Sequence, residues 1–142
     1  MDLTALVNPR GKLVRASLLP ALATILALVP LVIQSMSEPG SPVVGILVII
    51  GAPAVAFLVN WRWPAATDRD RATYAAIPQV FIPPAMVWLD VWLEVRSGYL
   101  LRDSGEEAMA YGIGLTLAAI AGVILMVLVG GAGRLGAWLG TR

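Results

Sequence analysis

AMAYGIGLTLAAIAGVILMVLV, residues 108–129, runs for 22 residues without a charged side chain. A helix needs about 20 predominantly apolar residues to cross a hydrocarbon core about 30 Å thick. An uninterrupted apolar run of this length is typical of a transmembrane helix. The stretch therefore makes an integral membrane protein the first expectation for the whole chain.

Three further apolar stretches have a similar length, and they cover residues 16–36, 42–63 and 75–95. We therefore predict an all-α integral membrane protein in which four transmembrane helices form one antiparallel bundle, a single domain over residues 1–142. Residues 1–15 contain Pro9 and Gly11 among leucines and basic residues, so we expect a broken segment at the membrane surface. The glycine-rich tail after residue 129 is expected at the inner interface.

Basic residues are distributed unevenly between the two ends of the predicted helices. The N-terminal segment, the second loop and the C-terminal tail hold eight of the ten lysines and arginines, and the remaining loops hold only Arg96 and Arg102. Cytoplasmic loops of membrane proteins carry the excess of basic residues, so we expect both termini in the cytoplasm. The bias towards alanine, glycine, leucine and valine, with a single lysine, favours a bacterial inner membrane.

Local signals agree with these helix ends. Ser41 before a proline is typical of a helix start. Ser104 and Glu107 fit a capping box, in which each side chain accepts a hydrogen bond from the other end of the first turn. Trp61 and Trp63 flank the arginine at position 62, as expected of aromatic anchors at the inner interface.

The chain contains no cysteine and no histidine. Their absence argues against disulfides, thiol catalysis and the usual ligation of zinc, haem and iron–sulfur clusters. Histidine-based proton chemistry and most catalytic triads are also removed. We therefore expect no enzyme, no metal site and no protein-ligated cofactor. The net charge of +1 gives no indication of a nucleic-acid partner, and none is expected. One weaker functional hypothesis is that a lipid or pigment binds among the proline-bent helices; we call it the lipid or pigment hypothesis.

The third predicted span carries a polar face and an opposite aromatic ridge. At 3.6 residues per turn, Gln79, Asp90 and Glu94 fall on one side of the helix. The other side holds four aromatic residues, Phe81, Trp88, Trp92 and Tyr99. We favour a span over 75–95, which keeps both acids near the outer surface. A helix from Pro84 to Leu101 would bring them near the middle of the membrane, at roughly 2.5–3.5 kcal/mol for each charge.

Three roles remain open for Asp90 and Glu94. They pair with Arg96 or Arg102 at the outer rim, they line an aqueous vestibule that attracts cations or protons, or they bind a basic residue of a neighbouring subunit. Charged residues in membrane segments are rare and usually have partners, which favours pairing at the rim.

Small residues recur at every fourth position of the last predicted helix, at Ala110, Gly114, Ala118 and Gly122. A groove of small residues lets the backbone of another helix come close. We favour packing within the bundle over contact with another subunit.

These features favour a small non-catalytic subunit that packs on a larger membrane protein complex and helps to assemble or stabilise it. Its partners would be other membrane protein subunits and the lipid bilayer. The alternative is a homo-oligomeric channel, pore or small transporter that uses Gln79, Asp90 and Glu94 as an ion path. One four-helix bundle leaves little room for a pore, so that alternative needs several copies.

Overall fold

The computed structural model describes residues 9–34, 42–63 and 69–142, and all regular structure within these ranges is helical. The α-helices are α1 (Pro9–Gln34), α2 (Pro42–Arg62), α3 (Arg69–Ala76), α4 (Ile82–Ser97) and α5 (Gly105–Gly140). A 3-10 segment, Ile77–Val80, joins α3 to α4. Because α3, the 3-10 segment and α4 all pack along α5, we count them together as one helical column of the bundle. We call each such column a post; the other three posts are α1, α2 and α5, and the count of four agrees with the prediction.

Posts that follow one another in the chain run in opposite directions, whereas α2 and α5, which are neighbours in the bundle, finish at the same end. The start of α1 lies beside the end of α2, where the guanidinium carbon of Arg15 is 5.9 Å from the ring centroid of Trp63. The later part of α5 lies beside Ala72 of α3, and its earlier part lies beside Val87 of α4. The post formed by α3 and α4 is therefore antiparallel to α5.

Three helical stretches are long and apolar enough to cross a membrane, namely Gly45–Arg62, Ala72–Ser97 and Gly105–Gly140. A shorter apolar stretch, Val14–Pro30, lies in α1. Polar groups are found inside the bundle, where Gln79 is fully buried, and large aliphatic side chains lie outside, where Leu26 is 69% exposed. Soluble domains show the opposite preference, so this distribution is compatible with a hydrocarbon surrounding.

The core is built mainly from small side chains. Its buried cluster consists of Ala52, Ala56, Ala76, Leu125 and Val129. Alanine adds little volume beyond the backbone, so α2, α3 and α5 approach closely where these residues meet.

The helix that starts the bundle begins earlier than the predicted span. Pro9 opens α1, because proline is well suited to the first helical position, where its missing N–H would have no partner anyway. Residues 9–15 therefore belong to α1 and are not broken at Pro9 and Gly11, while their position at the membrane surface stays a prediction. Residues 1–8 of that segment, and residues 35–36 of the predicted first span, lie outside the described ranges.

The third post leaves α-helical geometry near Pro78 and resumes it at a pair of prolines. Pro78 is the second residue of the 3-10 segment that follows α3. Pro83 and Pro84 fall in the first turn of α4, where backbone N–H groups have no intrahelical acceptor, so the pair starts a helix without breaking one.

The end of α4 is fixed by a glycine. Gly98 has a φ of 80°, a left-handed conformation that favours glycine. The amide of Gly98 donates to the carbonyl of Val95 at 3.3 Å, and the amide of Tyr99 donates to the carbonyl of Glu94 at 3.0 Å. This pair of bonds is a Schellman motif, and it ends α4 two residues after the predicted span.

The last helix is the longest. At 1.5 Å per residue, the 36 residues of α5 extend for about 54 Å. Ser104 caps its start by accepting a hydrogen bond from the Glu107 amide at 3.2 Å. The Glu107 carboxylate accepts from the Asp103 amide at 2.6 Å, one residue before the position that a capping box predicts. The tail after residue 129 continues α5, and its position at the inner interface stays a prediction. Ser41, the other predicted cap, is outside the described ranges.

Candidate functional site

Gln79, the first residue of the predicted polar face, lies inside the bundle and is 0% exposed. The hydroxyl oxygen of Thr24 in α1 is 2.7 Å from Gln79 Oε1 and 3.1 Å from the carbonyl oxygen of Pro20. A hydroxyl has one hydrogen to share between these acceptors. Gln79 Nε2 has no hydrogen-bond partner among the described residues. The amide therefore links the 3-10 segment to α1 and does not reach solvent.

Asp90 and Glu94 lie one turn apart on α4, and both are half-buried. Asp90 is 11 positions after Gln79, which corresponds to about 16 Å along the helix axis. The structure therefore does not gather the three polar residues into one site, since Gln79 faces α1 in the interior and the two acids occupy the later half of α4.

The predicted small-residue groove of α5 faces the third post of the same chain. A Cβ atom added to Gly114 would lie 3.2 Å from a methyl carbon of Val87, and one added to Gly122 would lie 2.6 Å from the carbonyl oxygen of Val80. Ala118 is buried and Ala110 is half-buried. Pro84 has no N–H to donate to the Val80 carbonyl, so that oxygen is left free to contact the Gly122 backbone as a Cα–H···O interaction.

A second row of small residues, which the sequence analysis missed, lies near the end of α5 at Gly133, Gly136 and Gly140. It packs against the end of α2: a Cβ on Gly140 would lie 2.5 Å from the Trp61 carbonyl oxygen, and one on Gly136 would collide with the Phe57 carbonyl. The buried amide of Asn60 lies beneath Gly133. Glycines three and four positions apart are a signal that could have indicated this contact.

The predicted aromatic ridge is exposed along its whole length, from 38% for Trp92 to 68% for Phe81. The rings of Trp88 and Trp92 are stacked, with centroids 6.5 Å apart and planes inclined by 15°. The guanidinium carbon of Arg96 lies 5.2 Å from the Trp92 ring centroid, so the stack ends in a cation–π contact.

The ridge belongs to a longer unpartnered surface that starts in α3. Its members are exposed, follow one another at intervals of three or four residues, and comprise Tyr74, Ile77, Phe81, Ala85, Trp88, Trp92, Arg96 and Tyr99. We call this surface the aromatic face. Residues at such intervals line one side of a helix, so the face is continuous from α3 to the end of α4.

Tryptophan and arginine also cluster at the end of the bundle where α1 begins and where α2 and α5 end. Arg15 and Arg62 lie with their guanidinium carbons 5.9 Å and 5.7 Å from the ring centroid of Trp63. Arg142 follows the end of α5, and its guanidinium carbon is 3.7 Å from the ring centroid of Trp138 in that helix. This end therefore presents cationic groups held against aromatic rings.

A cavity of about 290 Å³ lies between α1, α2, α4 and α5. Leu28, Val48, Pro83 and Leu125 are among its lining residues, and the lining is almost entirely apolar. Such a cavity suits an acyl chain or another apolar molecule, as the lipid or pigment hypothesis requires. Its lining residues offer no ligand for a metal. Within the described ranges no three acidic, cysteine or histidine side chains come together.

Comparison of this chain with protein-family models, with curated proteins and with solved structures gives no match.

Proposed function

We propose that this protein is a small non-catalytic subunit of a bacterial inner-membrane complex, with both termini in the cytoplasm, that docks on a larger membrane protein and supports its assembly or stability. The aromatic face is the observation that carries the proposal. It occupies one side of the third post, and α1 and α5 contact that post on its other sides.

The depth of Trp88 distinguishes a partner from lipid as the neighbour of this face. Trp88 lies three to four residues after the midpoint of the apolar stretch Ala72–Ser97, which is about 5 Å along the axis. Tryptophans that face lipid concentrate at the headgroup level, about 15 Å from the bilayer centre. Trp88 is much closer to the centre than that level.

The indole N–H of Trp88 needs a hydrogen-bond acceptor. Within the described part of the chain, Trp88 makes a ring contact with Trp92 and its indole donates no hydrogen bond. Buried indoles usually find an acceptor, and acyl chains offer none. A partner helix can supply a serine or threonine hydroxyl at this depth, together with small residues between which the rings fit.

The partner proposed is a transmembrane helix of a different protein. A second copy of this chain offers a less suitable surface, because the groove that runs from Gly114 to Gly122 is filled by its own α4 and 3-10 segment. Arg96 at the end of the aromatic face favours an acidic or carbonyl group at the matching end of the partner.

A photo-crosslinking amino acid placed in turn at positions 88 and 92 tests the proposal in native membranes. Matched controls carry the same group at Leu117 and Val127 of α5, which are as exposed as the tryptophans or more so. We expect one protein adduct of defined mass from positions 88 and 92, and none from the controls. Trp88→Ala combined with Trp92→Ala should release the same protein on mild extraction, whereas Leu117→Ala with Val127→Ala should retain it.

Two outcomes would overturn the proposal. Equal labelling at all four positions, with lipid as the product, would mean that the aromatic face simply meets the bilayer. Adducts only between copies of this chain would favour the homo-oligomeric alternative, and ion flux before and after Asp90→Asn and Glu94→Gln would then be the next measurement.

A further inference from the structure

The Arg15–Trp63–Arg62 cluster, at the far end of the bundle from Arg96, takes no part in the proposed docking. We propose that this cluster binds the phosphate of an anionic phospholipid. The site brings together two helices, since Arg15 comes from α1 while Arg62 and Trp63 come from the end of α2. It therefore forms only when α1 packs against α2.

The geometry places two cations beside one ring. Each guanidinium carbon lies within 6 Å of the Trp63 centroid, so the two carbons are at most 11.6 Å apart, the sum of the two distances. Guanidinium groups carry five N–H donors in a planar fork that matches phosphate oxygens. The aromatic ring stabilises each cation separately, but the like charges repel one another, and a bound anion removes that repulsion.

The described side chains leave the site positive. Among them, no carboxylate forms an ion pair with Arg15 or Arg62. The carbonyl ends of α2 and α5, which lie at this end of the bundle, each contribute about half a negative elementary charge. Two full positive charges outweigh these partial charges, so the described groups attract an anion.

The position of the arginine cluster along the helices, and the exposed leucines next to it, indicate a lipid as the source of the phosphate. Arg62 ends the apolar stretch of α2, and Arg15 follows the first residue of the apolar stretch of α1, so both lie where lipid headgroups meet water. One turn further into the bundle, Leu18 and Leu58 are exposed. An acyl chain can lie against these leucines while its headgroup contacts the arginines.

Native mass spectrometry of the full chain from nanodiscs tests the site. The nanodiscs contain phosphatidylcholine alone or a mixture with phosphatidylglycerol, and the readout is the fraction of protein that retains phosphatidylglycerol. Charge-assisted hydrogen bonds from a guanidinium to a phosphate are about twice as strong as neutral ones. Because Arg15→Gln with Arg62→Gln removes both guanidinium groups, we expect phosphatidylglycerol retention to weaken by about tenfold or more.

The matched control is Arg96→Gln with Arg102→Gln, which removes the same charge from the other end and should leave retention unchanged. Equal loss in both double variants would overturn the proposal, because net charge alone would then explain it. Thermal unfolding in phosphatidylcholine alone shows whether each variant folds.

Arg15→Lys with Arg62→Lys keeps the charge and removes the planar forks, so it remains informative if the glutamine variant does not fold. We expect a several-fold loss of retention for the lysine variant, and retention equal to that of the unaltered protein would overturn the site. Inorganic phosphate added to protein in phosphatidylcholine nanodiscs should not raise the unfolding temperature. A rise as large as that caused by phosphatidylglycerol would assign the site to free phosphate.

Discussion

Gly122→Ala tests the close contact between α5 and the 3-10 segment. The added methyl carbon would lie 2.6 Å from the carbonyl oxygen of Val80 and 3.1 Å from both its carbonyl carbon and its Cα. Favourable carbon–oxygen contacts lie at about 3.3–3.6 Å, so α5 and the 3-10 segment must separate by about 0.7–1 Å to admit it. The obstacle is backbone, held by Pro78 and Pro83 on either side, and no side-chain rotation relieves it.

The expected change in the free energy of unfolding follows from two opposing effects, helix propensity and overpacking. Alanine in place of glycine inside a helix normally stabilises it by about 0.5–1 kcal/mol. Overpacking of a closely packed interior costs about 1–3 kcal/mol. Gly131 supplies the first effect alone, because a Cβ there meets nothing within 4 Å. We therefore expect Gly122→Ala to be less stable than Gly131→Ala by about 1–3 kcal/mol.

The assay is equilibrium unfolding in mixed micelles with increasing dodecyl sulfate, followed by far-ultraviolet circular dichroism and tryptophan fluorescence. Gly130→Ala is a second control in the same helix, since its Cβ would make an ordinary 3.6 Å contact with the Cβ of Ala76. The midpoint should fall for Gly122→Ala and hold or rise for both controls. A Gly122→Ala protein as stable as Gly131→Ala would refute the inferred contact between α5 and the 3-10 segment.

Three further predictions use the same unfolding assay. Gly98→Ala forces a side chain into the left-handed conformation at φ 80° and should cost about 1–2 kcal/mol; an unchanged midpoint would mean that α4 does not end in this way. Ser104→Ala removes the cap on the Glu107 amide and should lower the free energy of unfolding by about 1 kcal/mol. Ser104→Asp should retain most of the stability, and equal losses of stability in the two variants would contradict the capping role. Thr24→Val removes the described hydrogen-bond partner of the buried Gln79 amide and should lower the free energy of unfolding by about 1–3 kcal/mol. Gln79→Leu removes the amide itself and should be nearly neutral. A larger loss for Gln79→Leu than for Thr24→Val would show that the amide stabilises the bundle by another contact.

The helical posts could be predicted because the hydrocarbon thickness sets a length that the sequence must satisfy. The run at 42–63 coincides closely with α2, whose bounds are Pro42–Arg62. The end of α5 was not predictable in the same way, because glycines at Gly133 and Gly136 have low helix propensity. Close packing against α2 outweighs that propensity, and such a contact between distant segments is not visible in local composition.

The four-residue groove was predictable, since it lies within α5, where a period of 3.6 holds. Trp88 and Trp92 of the aromatic ridge share α4 in the same way, and Phe81 and Tyr99 border that helix on either side. The polar face was not, because Gln79 lies in the 3-10 segment, which has three residues per turn, whereas Asp90 lies in α4, so the two do not share one helical register. Thr24 was overlooked although it is the only polar residue between Ser17 and Gln34. Its partner is 55 positions away, and only the tertiary fold brings the two together.

The length of α5 has a mechanical consequence. Membrane helices tilt by up to about 40°, and even at that angle a 54 Å helix spans about 41 Å along the bilayer normal. If α5 crosses a bilayer, as proposed, both of its ends protrude from a hydrocarbon core of about 30 Å. No proline interrupts the helix, so no proline kink uncouples one end from the other. A change in tilt of about 10° then moves one end sideways by roughly 9 Å relative to the other.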